Sequence, residues 1–373
     1  MRLPTLTIAA LLFSTLGLTS PALAQLDTRW TAGGSFEALI GGPTPGHGTL
    51  YVQTEFFGQA GTTGAITFNT ETLAGRLRTP LSEVAALRIS AKGEALAANV
   101  LAENYERLAF VAGRRLTASY AQLGAGLDLD VQRRHTLRLD ARVTKWFLAA
   151  PENTSATFVV PNNPWLGRAS LGWTYWSLQP DIAYGALHRR RERLRGVGLG
   201  VEIGTDVRTE LDSWGAPEAL RPNDPDAVSG VANQWLRLGA DVGDRTRIQL
   251  TQRAQFATGG DDLTRERIGG LTQPFVTPLA GLPWGVVRSD RFVVAQPSAA
   301  FRVINRHELG VLLDVAATPI DGDDAVVALW GVGMFIDLRW EHWQADASLG
   351  WSPQRAQAVS SFFGALIGFG WSG

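Results

Sequence analysis

The feature that most restricts this chain is an alternation of period two, repeated from end to end, with apolar residues on one face and charged or small residues on the other. Leu123, Ala125, Leu127, Leu129 and Val131 share one face, and Gln122, Gly124, Gly126, Asp128, Asp130 and Gln132 share the other. After a turn between Gln132 and His135, Leu137, Leu139, Ala141 and Val143 alternate with Arg138, Asp140 and Arg142. Successive side chains of an extended strand point to opposite faces, so this stretch predicts an antiparallel hairpin with one wholly apolar side. The pattern recurs in Leu236 to Phe256, with Arg237, Asp241, Arg247 and Arg253 on the polar side, and in Val332 to Leu349, with Asp337 and Arg339 there. Val197 to Val207 forms another stripe backed by Gly198, Gly200, Glu202, Gly204 and Asp206.

Two environments fit such ribbons. In a secreted soluble sandwich the apolar face is the core; in a membrane barrel it faces lipid and the charges line the inside. Strands of ten residues or more, against a usual five or six, and the small residues on the polar face favour the barrel. Turned to lipid, the charges of the 122–143 hairpin would cost on the order of 10 kcal/mol, at about 2 to 4 kcal/mol per midplane basic residue. Alternating runs are found near 29–41, 48–58, 62–70, 83–91, 118–131, 134–148, 154–160, 165–177, 180–189, 195–207, 232–243, 245–257, 291–303, 306–317, 325–340, 342–352 and 356–371. Single-chain bacterial barrels have an even number of strands, so the expectation is a transmembrane antiparallel all-β barrel of about 16, within a range of about 14 to 18, with the miscount placed before residue 120. Residues 93–112 are the weakest part, since the Ala-rich run from Glu94 to Arg107 also suits a short helix.

The amino terminus agrees. Arg2, an apolar run from Leu6 to Leu18, the Ser20-Pro21 break and Ala22-Leu23-Ala24 read as a signal peptide over 1–24, with 25–373 as the barrel. That run is about 13 residues, short of the roughly 18 to 20 a spanning helix needs, and no later stretch approaches that length. A closed barrel is the other architecture that satisfies every backbone polar group in lipid. The chain contains no cysteine, which excludes a lipoprotein anchor and a disulfide scaffold. A formal net charge of −1 supplies no basic field, so nucleic acid is not an expected partner. Outer-membrane lipid is.

Trp30, Trp146, Trp165, Trp235, Trp340, Trp343, Trp351 and Trp371 fall near strand ends, where interfacial girdles sit. The last strand carries Val359, Ser361, Phe363, Ala365, Ile367, Phe369 and Trp371 on one face. Its aromatic ending, with Phe369 and Trp371, looks like the carboxy-terminal signal read by the outer-membrane insertion machinery, here followed by Ser372-Gly373. Two connections are long. Arg208 to Val231 is rich in Pro and Asp and reads as a mobile exposed loop. Thr258 to Asp290 contains Leu271 to Val287, too apolar to lie in water, and is expected to fold into the lumen and narrow it.

From here the sequence resembles the barrel of the BamA-type family of outer-membrane assembly factors and secretion pores. In that family a long loop enters the lumen before the last five strands, followed by a strand ending in an aromatic-Arg pair and then an acidic wall position. This chain has the loop at 258–290, then Ala300-Phe301-Arg302-Val303 and Leu312-Leu313-Asp314-Val315-Ala316. Trp330-Gly331-Val332-Gly333-Met334 and Asp346-Ala347-Ser348-Leu349-Gly350 resemble the next two strands, so the likeness covers about 265–371. It implies that Asp314 pairs with an arginine of the loop. The family's Arg-Gly-aromatic loop tip is absent; Arg265, Arg267 and Arg288 are the substitutes, Arg288 the better one. Only the signal peptide precedes the barrel, so the periplasmic repeats with which family members capture polypeptides are expected to be missing.

Bond chemistry has little support. His135, His307 and His342 sit in tight turns, His47 lies between glycines and His188 opens a basic run through Arg195. No His-x-x-x-His or Glu-x-x-His spacing is present, and no cofactor is implied. The acidic clusters Asp261-Asp262 and Asp321 to Asp324 suit solvated loops better than calcium. The expectation is a non-enzymatic, loop-gated pore or translocation-type barrel whose lumen is lined by paired Arg and Asp. An outer-membrane hydrolase with a rim site, or a non-conducting scaffold, are the alternatives, and the permeant is not legible.

Overall fold

In the computed structural model the chain winds antiparallel through sixteen wall strands that close on themselves. They are β1 (Asp27–Ile40), β2 (His47–Phe57), β3 (Thr63–Asn69), β4 (Thr72–Pro80), β5 (Ala85–Leu101), β6 (Leu116–Gln132), β7 (His135–Ala149) and β8 (Trp165–Trp176). The second half comprises β9 (Leu194–Arg208), β10 (Ala227–Val242), β11 (Thr246–Thr258), β12 (Arg291–Ile304), β13 (His307–Pro319), β14 (Val326–Arg339), β15 (Trp343–Ser352) and β16 (Phe362–Ser372). The structure describes residues 27–372 apart from 41–46, 59–60, 70–71, 102–104, 107–108, 111–112, 114–115, 133, 153, 181–193, 221–226, 259–264, 270–276, 283–286, 305, 320–324 and 354–361. The signal-peptide reading of 1–24, both acidic clusters and His188 lie outside the described residues. Each strand pairs with the next, and β1 pairs with β16 from Thr31 opposite Ser372 to Ile40 opposite Phe363, which seals the barrel. No edge is left to aggregate, and every wall strand has two partners.

The two faces are sorted as hydrocarbon and water would sort them. Leu123, Leu139, Val143, Leu171, Ile203, Ile248, Val311, Met334 and Leu349 are exposed, while Asp128, Asp206, Arg247, Glu308, Asp314, Asp337 and Arg339 are buried. In a water-soluble protein that order is reversed. No described helix is long and apolar enough to cross a membrane; the crossing elements are strands. Connections at the end holding Asp27 and Ser372 are short, as at 243–245 and 340–342, except for 177–193, and the long ones at 150–164, 209–226 and 259–290 lie at the other end, where 70–71 is a short exception. Bacterial barrels place short turns in the periplasm and long loops outside.

Tryptophans mark both rims. Trp371 meets Trp30 at 4.0 Å between ring centres and Trp343 at 5.7 Å on the short-turn side, and Trp330 meets Trp351 at 5.8 Å on the loop side. Two of the expected girdle residues are elsewhere. Trp146 shares the face of Arg142 and packs on an interior cluster, and Trp235 lies across Gly198 and Gly200, where a Cβ on Gly200 would meet the indole nitrogen at 2.3 Å. Their even or odd position in the strand, not their nearness to its end, decides which way they point.

The strand reading differs at three places. Thr72–Pro80 is a wall strand that alternation did not reveal, because Leu73 and Leu77 are its only large outward residues, with Gly75 between them. The run 154–160 is loop, its Phe158 buried and its Val159 bridged to Gly215. The run 180–189 lies outside the described residues beyond Pro180, and the wall continues across it, with β8 paired directly to β9 from Leu166 opposite Arg208 to Trp176 opposite Gly198. Residues 85–101 are strand, and the short helix weighed for 94–107 is not formed by its described part. The miscount thus lies on both sides of residue 120.

Candidate functional site

The inward loop between β11 and β12 begins as a hairpin. Glu266 faces Ser289, Arg267 faces Arg288 and Ile268 faces Val287. The loop then doubles back, with the Gly269 N–H donating to the Thr277 carbonyl at 2.9 Å, and turns at Leu279 to Leu282, where Gly281 has φ 76°. Its apolar side chains Ile268, Leu279, Leu282 and Val287 bury against Phe292 and Val294 of β12, Ala316 of β13 and Leu329 of β14. These wall residues share the inner face with the charges, so the upper lumen wall here is apolar and the loop covers it. Burial at about 25 cal/mol per Å² is the main force holding the loop in.

Polar contacts set its position. The Ala280 N–H donates to Asp314 Oδ2 at 2.6 Å, and Gln296 Nε2 donates to Asp314 Oδ1 at 3.3 Å and to the Pro278 carbonyl at 2.9 Å. Gly331, opposite Asp314 in the β13–β14 register, leaves room for the Ala280 carbonyl, which would stand 1.8 Å from a Cβ there. Arg253 of β11 donates to Glu266 Oε1 at 2.6 Å and to Thr277 Oγ1 at 3.0 Å, and Thr277 in turn donates to Glu266 at 2.9 Å. Four consecutive strands, β11 to β14, thus bear on this loop through named residues.

Of the residues expected to pair, Asp314 and Arg288 are both buried. Arg302 is not brought to them: it stands opposite Glu308 at the short-turn end, its N–H donating to the Arg245 carbonyl at 2.7 Å. Sequence adjacency to an aromatic residue said nothing of height along the barrel. Gln296 and the Ala280 amide are contacts that residue types alone did not indicate.

Away from the loop the inner wall is a ladder of ion pairs. Asp128 takes Arg88 at 2.6 Å and Arg78 at 3.2 Å, with Arg138 at 3.6 Å, and Asp140 takes Arg88 at 2.8 Å. Asp130 accepts from Thr136 at 2.7 Å and from Arg78 at 3.4 Å. Arg168 grips Asp206 with both nitrogens of its fork, Arg247 holds Glu308, and Arg339 holds Asp337 at 2.8 Å. Arg195 holds Asp241 at 2.6 Å. Arg237 occupies the inner face of β10, opposite Gly198. Arg142 lies on β7 between Gly124 and Arg168 in the register and is exposed to the interior.

A second inward cluster was not anticipated. Phe158 from the loop after β7 and Leu211, Trp214 and Ala216 from the loop after β9 bury against Leu116, Ala118 and Leu148. The two loops are tied by the Val159–Gly215 bridge and by Asn162, whose Nδ2 donates to the Glu210 carbonyl at 3.0 Å. The segment read as a mobile exposed loop is therefore anchored over its first half; Trp214 was the signal, since a tryptophan in a Pro- and Asp-rich stretch has to bury its ring somewhere.

Phe369 and Trp371 are exposed on the outer face of β16, which is paired on both sides. His135 stacks near Trp173 and Tyr175, and His307 accepts the Arg339 N–H on Nδ1 at 3.1 Å. Among the described residues no group of His, Asp and Glu is arranged to hold a metal ion.

A closed barrel with a greasy exterior, two aromatic rims and a charged interior is an outer-membrane β-barrel in fold. The solved structures it resembles are of that class. CdiB from Acinetobacter baumannii superposes with a TM-score of 0.59 at 12% identity, over 93% of this chain and 60% of that one. BamA from Haemophilus ducreyi lacking POTRA domains 1–3 gives 0.57 at 11%, over 93% and 70%, and CdiB from Escherichia coli gives 0.56 at 11%, over 91% and 62%. The chain thus spans about 60% of the length of the first of these. No protein-family model matches the sequence, and no curated protein sequence does.

Proposed function

We propose that this protein is an exported outer-membrane pore of the translocation type, whose passage is controlled by the loop at 258–290 and which makes and breaks no bonds. The observation that carries the reading is the docking of that loop on the inner wall, by the apolar cluster of Ile268, Leu279, Leu282 and Val287 and by the Ala280 contact to Asp314, through contacts that lie outside the strand-to-strand pairing. The same reading gives the barrel a signal peptide at 1–24, lipid as its outer partner, and Phe369 and Trp371 as the mark read by the insertion machinery. It also pairs the buried Arg288 with Asp314, which adds a charge to the amide contact. Water-accessible arginines across the lumen from the loop, Arg138 and Arg142 among them, support a wet passage rather than a filled core. The test is single-channel conductance in planar bilayers for the full chain and for a variant lacking 265–287. Larger unitary current in the deletion supports gating by the loop; identical traces contradict it.

A further inference from the structure

The lumen is built from pairs, but the two members of a pair do not meet the water equally. The Arg138 side chain is 44% exposed where it overlies Asp128, itself 4% exposed. Arg78 is 37% exposed over the same carboxylate, and Arg195 is 64% exposed beside Asp241 at 30%. Arg168 over Asp206 and Arg253 over Glu266 repeat the order, and it reverses at Asp130 and Asp140. The cause is side-chain length. An aspartate keeps its carboxylate close to the backbone, while an arginine from the neighbouring strand carries its fork outward over it. On the far wall both signs are buried, Glu308, Asp314, Asp337 and Asp346 together with Arg247, Arg288 and Arg339, so that wall adds little of either sign. An ion in the lumen senses the nearest layer of charge most strongly, because potentials fade over about 8 Å at physiological ionic strength. That layer is guanidinium.

Arg142 adds to that layer. Midway along β7, it stands opposite Gly124, over which Ser90 places its hydroxyl, and opposite Arg168, whose fork is committed to Asp206. The remaining acid close to it is Glu202. From this geometry we infer that the lumen favours anions, small solutes carrying a carboxylate, phosphate or similar oxyanion group, and that Arg142 is the residue that draws them in. The inference rests on the pore reading above and adds the charge of what passes. Rings of arginine are a general device for anion selectivity, and the planar fork matches oxyanions in two-point hydrogen bonds.

The experiment is the reversal potential of the full chain in planar bilayers under a potassium chloride gradient. The expected result is chloride preferred over potassium by about sevenfold, as a local potential near one kT gives by enriching the anion and depleting the cation about e-fold each. Arg142→Glu brings the ratio to about one or below, and Glu202→Gln raises it. Should Arg142→Glu fail to insert, Arg142→Gln in the same measurement serves instead and should bring the ratio towards one. A conducting wild type with a ratio at or below one overturns the anion inference and leaves the pore standing. An inserted Arg142 variant that keeps the wild-type ratio overturns the assignment to Arg142. Absence of current from both the wild type and the 265–287 deletion overturns the pore reading with it.

Discussion

Asp314 and Gly331 face each other across β13 and β14, and between them they read a single peptide unit: the carboxylate takes the Ala280 N–H at 2.6 Å, and the glycine makes room for the Ala280 carbonyl. A side chain at 331 would occupy the place of that carbonyl, 1.8 Å from the Cβ. Gly331→Ala should therefore expel the loop while leaving the barrel closed, since both atoms of the conflict that belong to the loop are backbone. The measurement is protease cutting within 265–287 on barrels that still run as folded species in unheated gels. Faster cutting than in the wild type is expected.

Asp314→Ala removes a charged acceptor and should weaken docking by about 1.5–3 kcal/mol. Asp314→Asn separates two contributions. It keeps an oxygen for the Ala280 amide and loses the charge proposed to hold Arg288. Loop opening close to that of the alanine variant, read as open probability of single channels, and matched by Arg288→Met, is the outcome the arginine pairing requires. An asparagine variant that behaves as wild type leaves the amide contact as the whole of Asp314's contribution.

The pair Arg168–Asp206 should matter more to the wall than to passage. Asp206 is 2% exposed, and taking away its partner leaves a nearly buried carboxylate uncompensated. Arg168→Ala should destabilise the barrel by about 3 kcal/mol, and the double variant with Asp206→Asn should recover part of that. Urea unfolding in lipid vesicles reports both.

Trp214→Ala tests the second inward cluster. Deleting a buried tryptophan removes about 3–5 kcal/mol of packing, more than two tethered loops hold in reserve. The loops at 150–164 and 209–226 should then exchange amide hydrogens faster, with strands β6 to β9 unchanged.

The wall was legible because one face of each strand meets a uniform environment, so alternation such as Leu137, Leu139, Ala141 against Arg138, Asp140, Arg142 reports directly on geometry. Thr72–Pro80 escaped because Gly75 breaks its stripe, and 154–160 misled because a β-branched run suits a packed loop as well as a strand. The apolar loop at 258–290 announced burial by composition, whereas its anchor did not: the Ala280 amide is a backbone group, and no side-chain type encodes it. Trp146 and Trp235 show the same limit from the other side, since nearness to a strand end is a weaker guide than parity.

The account depends on which environment each face meets, and the absence of cysteine makes that measurable one residue at a time. Single cysteines at Leu139, Leu171 and Val311 on one face, and at Arg138, Arg142 and Arg237 on the other, would be treated in lipid vesicles with a membrane-impermeant thiol reagent. The account predicts rapid modification at the three arginine positions and protection at the three apolar ones, which should instead react with a lipid-soluble reagent. Rapid modification of the apolar positions by the impermeant reagent, with the arginine positions protected, would contradict it.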